Sequence, residues 1–136
     1  MLSDDEAKRL WSRLRQAWQI TDGYWYPLVE SSNETVAAFQ DGPFYEAVSS
    51  QLLQSILGAH GIERTWELRE FGPEYEQDVA LLNPYYNGAE GYWSSGELDW
   101  IVYASHENSV TVGGWLLEEI KSVWPTWNEK IWIWPF

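Results

Sequence analysis

The sequence predicts an α+β fold: a single antiparallel sheet of about five or six strands, with two long helices and one short helix packed on it. Three observations carry this expectation. Apolar stripes of helical period stand near the start, in the middle and near the end of the chain. Between them, strand-like runs follow one another, and consecutive strands favour antiparallel pairing. One of those runs, "DWIVYAS", is apolar on both sides, which asks for a central strand with cover on each face.

The first helix is punctuated clearly. Ser3 and Glu6 form an S-x-x-E capping box, and Asp4 and Asp5 sit in the first turn, where the helix dipole favours them. Ala7, Leu10, Trp11, Leu14, Ala17 and Trp18 then recur with helical spacing, and Gly23 ends the region. Four of the eight basic residues, Lys8, Arg9, Arg13 and Arg15, lie mainly off that stripe. "YWYPLV" and "TVAAFQ" read as two strands, the first an edge strand because Pro27 lacks an N–H. "DGPFYEAVSSQLLQSILGAHG" reads as one long helix, with Pro43 in its first turn, Tyr45, Val48, Leu52 and Ile56 as its stripe, and Gly58 or Gly61 as its stop.

"IERTWELREF" alternates. Ile62, Trp66 and Leu68 share one face, and Glu63, Thr65, Glu67 and Arg69 a wet one. After the Gly72-Pro73 turn, "EYEQDVALL" leans to strand, and "NPYYNGAEG" is a loop. In "ELDWIVYAS", Leu98, Trp100, Val102 and Ala104 face one way, Ile101 and Tyr103 the other. His106-Glu107-Asn108 is a hairpin turn, with Asn108 tolerant of positive φ, leading into "SVTV". Gly113-Gly114 break that strand. "WLLEEIKSVW" is the short helix, stopped before Pro125, and "EKIWIWPF" is a short strand or extended tail.

A chain of 136 residues with no internal repeat and no linker reads as one domain, residues 1–136. At that size roughly two thirds of the unfolded surface is buried. Eleven Trp, eight Tyr and four Phe supply much of it. A fully buried Trp contributes about 4–6 kcal/mol of gross transfer energy. The chain has no Cys, no basic leader and no long apolar run, so the expectation is a soluble cytoplasmic protein without disulfides.

Charge narrows the partner. There are 21 acidic residues against 8 basic, a net charge of −13. Arg15 and Arg64 enclose six acids and no base; residues 70–119 hold ten acids and no base. Nucleic acid and anionic membrane are repelled by such a surface, whereas a basic protein is steered toward it. The competing reading is that acidity keeps an aromatic-rich chain soluble.

The residue inventory excludes several chemistries. Without Cys there is no thiol nucleophile and no Cys-containing zinc site. No phosphate-binding glycine pattern occurs, and neither cofactor nor metal is expected. Ser105-His106-Glu107 holds triad residue types, but neighbours on a strand point apart, so His106 reads as a turn residue. His60 reads as a helix C-terminal residue. Asp99 is the carboxylate to watch if buried, and otherwise the exposed start of a strand. No residue is assigned a catalytic role.

Two aromatic segments are the candidate partner-binding surfaces: Tyr85, Tyr86, Tyr92 and Trp93 on a loop, and Trp132 and Trp134 in the tail. The resulting expectation is a non-enzymatic acidic protein that binds a basic protein, of inhibitor or immunity-protein type. The alternative is a carbohydrate-binding or carbohydrate-processing module built on Trp and Tyr platforms with carboxylates. A DNA mimic and a subunit that dimerises through its C-terminal segment are two further readings.

Overall fold

The computed structural model describes residues 1–18, 20, 36–70, 73–105 and 108–130. Its strands are β1 (Val36–Gln40), β2 (Arg64–Arg69), β3 (Tyr75–Asp78), β4 (Gly91–Ser94), β5 (Trp100–Ala104) and β6 (Ser109–Gly114). All pair antiparallel in one sheet of order β1-β6-β5-β4-β2-β3. The α+β class is as the patterning predicts.

β5 sits inside the sheet, as its two apolar faces require. Trp100, Val102 and Ala104 enter one core, Ile101 and Tyr103 the other. Helix α1 (Asp4–Trp18) covers the second core, setting Leu10, Leu14 and Trp18 against Trp66, Leu68, Tyr92 and Ile101. Helices α2 (Asp41–Ala47), α3 (Ser50–Ala59) and α4 (Trp115–Val123) cover the first. They bring Phe44, Leu53, Leu57, Leu117 and Ile120 onto Phe39, Trp93 and Trp100. Helices therefore lie on both faces of the sheet.

Local signals account for several boundaries. The capping box forms: the Glu6 N–H donates to Ser3 Oγ at 3.2 Å, and the Ser3 hydroxyl meets Glu6 Oε1 at 2.8 Å. That bond holds the Glu6 carboxyl below its usual range. Asn108 has φ 62°, and the Ser105 N–H donates to Ser109 O at 3.0 Å, closing the β5–β6 hairpin. Helix α3 ends in a Schellman motif: Ile62 N–H reaches Leu57 O and Gly61 N–H reaches Gly58 O, both at 3.0 Å.

Four expectations are corrected. The long second helix is two helices, because Ser49 caps a new start: its backbone is extended and its Oγ accepts from Leu52 N–H at 3.1 Å. The restart turns Leu53 and Leu57 into the buried residues, with Leu52 and Ile56 half-buried. Ile62 precedes β2 and packs into the core opposite Trp66 and Leu68. The wet face of β2 is not wet: Thr65 and Arg69 are buried. Gly113 stays in β6, paired with Val36 and Ile101, and Gly114 alone ends it. Gly114 has φ 77°, and a Cβ there would meet Asp99 O at 2.0 Å.

"YWYPLV", Trp25, His106 and the "IWIW" tail with Trp132 and Trp134 lie outside the described residues.

Candidate functional site

The polar face of β2 is the foundation of the site. Glu67 and Arg69 point to the side covered by α2, α3 and the chain from 79 to 90. There Arg69 is only 5% exposed. Its Nε donates to Glu67 Oε2 at 3.1 Å, and its guanidinium lies over the Trp93 ring, 4.7 Å from the centroid. The Trp93 indole N–H donates to the other Glu67 oxygen at 3.3 Å. One carboxylate thus holds a cation and an indole, and the cation stacks on the same indole. Gly91 leaves the space for this: a Cβ there would lie 2.5 Å from Trp93 and 2.6 Å from Arg69.

Arg69 also shapes the surface above it. Its Nη1 donates to the carbonyls of Tyr85 at 3.1 Å and Ala89 at 3.3 Å. Loop 83–90 is therefore pinned at two points by a buried side chain. A second tie comes from α2, where the Tyr45 hydroxyl donates to Pro84 O at 3.0 Å and its ring lies 4.2 Å from that of Tyr85. Burial pushes the Tyr45 phenol well above its ordinary range, with Asp41 adding to the shift, so it stays a neutral donor.

Outward from this frame stand Tyr85 at 39% exposure, Tyr86 at 40% and Leu81. Beside them a groove of about 400 Å³ runs between the first turn of α3 and the strand-to-loop segment. Gln51, Gln54, Leu81, Asn83 and Tyr85 line it. Its two walls are tied together: Ser50 Oγ donates to Asn83 Oδ1 at 2.6 Å, and Gln54 Nε2 to Leu82 O at 2.8 Å. Residues 41–60 and 70–90 contain seven acids and no Lys or Arg, but Glu74 accepts from the Trp11 indole of α1, Glu76 faces the exposed Arg64 and Glu90 is buried, while Asp41 and Glu46 lie on α2. The nearest guanidinium along the chain, that of Arg69, is turned inward. Hydroxyls, amides and aromatic rings can bind and orient a ligand.

The sequence-predicted residues divide. Tyr85 and Tyr86 are on the surface as expected. Tyr92 and Trp93 are not: they belong to β4, 1% and 0% exposed. Tyr92 stacks on its cross-strand partner Tyr103 at 4.6 Å, and burial, with Glu90 next, pushes its phenol well up. Four aromatics in nine residues look continuous in sequence, but strand pairing with Leu68 and Glu67 draws the last two inside. Trp132 and Trp134 lie outside the described residues. Tyr45, Leu81 and Gln54 were not singled out by sequence. By its spacing Tyr45 reads as a core-stripe residue; only the break at Ser49 frees α2 to carry it to the loop.

The other candidates are elsewhere. Asp99 is exposed just ahead of β5. His60 closes α3, stacks on Trp115 at 3.8 Å and faces Glu119 at 3.5 Å. Among the described residues no three His, Cys, Asp or Glu side chains gather as a metal site, and no helix is long and apolar enough to cross a membrane.

Compared with known proteins, the chain matches no family model, no curated protein and no solved structure.

Proposed function

We propose that this is a non-enzymatic acidic protein that binds a basic protein partner, in the manner of an inhibitor or immunity protein. The observation that carries the reading is the Tyr85–Tyr86–Leu81 surface. It is exposed and braced from below by Arg69 and Tyr45, in a chain of net charge −13. Rigid aromatic groups make strong anchors because little side-chain entropy is lost when they dock. A one-signed field accelerates encounter with an opposite charge and discourages polyanions.

The test is capture from the source lysate at low salt, beside an equally acidic unrelated protein, with a salt step and mass spectrometry. One cationic protein retained above the control, and lost with Tyr85→Ala/Tyr86→Ala, is the expected result. Retention no better than the control's overturns the reading.

A carbohydrate module is the second reading, favoured by one observation: Tyr85 stands beside the neutral amides of Gln51, Gln54 and Asn83. It calls for a glycan panel, in which binding with no cationic partner would replace the first reading.

A further inference from the structure

We infer that Asn87 is a site of spontaneous covalent modification: its side chain cyclises onto the Gly88 nitrogen and reopens as aspartate or isoaspartate, and the isoaspartate form loosens the loop that Arg69 braces. The chemistry needs no partner. Only its effect on binding rests on the Tyr85–Tyr86 reading.

"NPYYNG" sets an asparagine directly before a glycine at the tip of loop 83–90. Ring closure needs an amide side chain free to turn, a following main-chain N–H that is not hydrogen-bonded, and no side chain crowding that nitrogen. Residues 85–88 are exposed. Neither the Asn87 side chain nor the Gly88 N–H is hydrogen-bonded to another described residue. Gly88 has φ 104°, and a Cβ there would meet nothing within 4 Å, so the approach to its nitrogen is open. The other described asparagines each fail a condition. Asn83 precedes Pro84, whose nitrogen carries no proton, and its Oδ1 accepts from Ser50. Asn108 precedes the buried Ser109. Asn128 precedes Glu129, whose N–H donates to Thr126 O at 3.0 Å.

The step is redox-neutral and consumes only water. The Gly88 nitrogen bonds to Asn87 Cγ, the Cγ–Nδ2 bond breaks, and the amide leaves as ammonia with the Gly88 proton. Water then adds to one of the two imide carbonyls. Opening at Cγ leaves an ordinary aspartate. Opening at the main-chain carbonyl routes the chain through Cβ and Cγ, giving isoaspartate with an extra main-chain atom. Either product places a carboxylate beside Tyr86, where a neutral amide stood.

The position of Asn87 makes the products unequal. Arg69 Nη1 donates to Tyr85 O at 3.1 Å and to Ala89 O at 3.3 Å, and Asn87–Gly88 lies between these two anchors. A single nitrogen thus fixes both ends of the intervening chain. Aspartate leaves the length of that chain unchanged. Isoaspartate lengthens it between fixed ends, which strains the Arg69 bonds and weakens the support beneath Tyr85 and Tyr86. The reaction is a slow, one-way loosening of the candidate surface.

The experiment ages the full chain in mildly alkaline buffer beside a synthetic peptide of residues 83–90. Cleavage after glutamate releases residues 77–90, whose Asn, Asp and isoAsp forms are separated by chromatography and identified by mass spectrometry. Asn87 is expected to convert at a rate within about tenfold of the free peptide's, because an exposed tip needs little local opening. Asn83, Asn108 and Asn128 are expected to stay intact over the same time, and Asn87→Gln to abolish conversion in the fragment. The isolated isoAsp form is expected to exchange its loop 83–90 amides faster than Asn87→Asp does, with α1 amides alike in both. An Asn87 that persists after the peptide has fully converted, or that converts no faster than Asn108 and Asn128, overturns the inference. So does an isoAsp form that exchanges as Asn87→Asp does. None of these readouts uses a partner, so a lysate capture that retains no basic protein removes the basic-partner reading and leaves this one standing.

Discussion

The two faces of the sheet are built in opposite ways. One is closed by a single 15-residue helix with its own cap, its own stripe and half of the chain's basic residues. Two of its arginines lie over tryptophans, Arg15 over Trp11 at 4.9 Å and Arg13 over Trp66 at 5.4 Å, their charges still exposed to water. The other face is closed by three short helices and a loop. Its arginine is buried, and two tyrosines, Tyr85 and Tyr86, stand on its outer surface. The α1 face holds together by local code and simple burial. The opposite face depends on partners distant in sequence: Arg69 on Tyr85, Tyr45 on Pro84, Gln54 on Leu82. A rigid helix gives a durable lid. A loop braced from beneath gives a surface whose shape is set by a buried side chain.

That contrast can be broken at Arg69. Arg69→Met keeps much of the stem that covers Trp93 but leaves Glu67 without its cation and frees two loop carbonyls. Removing one partner of a buried ion pair costs about 3 kcal/mol or more. The denaturant midpoint should fall accordingly, and hydrogen exchange should speed up in loop 83–90 beyond the increase that the loss of global stability brings to α1 amides. Equal exchange across both faces would mean that Arg69 does not brace the loop.

A smaller effect sharpens the other side. Ser3→Ala removes the cap of α1 and should cost about 1 kcal/mol, read by denaturant melting, with no change in partner binding. A loss of binding would show that the two faces are coupled through the sheet.

At neutral pH Tyr45→Phe has an effect of similar size, about 0.5–1.5 kcal/mol for the hydroxyl bond to Pro84. Its signature is alkaline. The folded phenol holds its proton above the ordinary range, while the unfolded one releases it near pH 10. Above about pH 10 the unfolded chain binds fewer protons than the folded one, so stability present below that pH is lost as pH rises. The variant should lose stability less steeply there. Tyr92 does the same on the α1 face, so part of the slope remains. An unchanged slope in the variant would mean that Tyr45 is as free as a surface tyrosine.

Much of the fold was legible because its signals are local. The Ser3–Glu6 box, the two-sided apolarity of 100–104 and Asn108 in the hairpin each act within a few residues, and each is realised. The site was half legible. Tyr85 and Tyr86 stood out because "NPYYNG" is a loop by composition. Tyr92 and Trp93 were grouped with them because nothing within that stretch says where pairing with β2 begins. Ser49 was one Ser among several in a helical pattern, and its role as a cap shows only once α2 and α3 have separate core partners.

The sequence by itself determined the class of fold, the central strand, the capped first helix and a negative field with long base-free stretches. These follow from periodicity, capping chemistry and charge count, which need no knowledge of distant contacts. Only the tertiary structure decided that the polar face of β2 is covered, that Arg69 and Glu67 turn inward on Trp93, and that Tyr45 meets the loop. The physical reason is that a side chain's alternation along a strand says which side it faces. What stands on that side, water or a loop from twenty residues further on, is settled by packing.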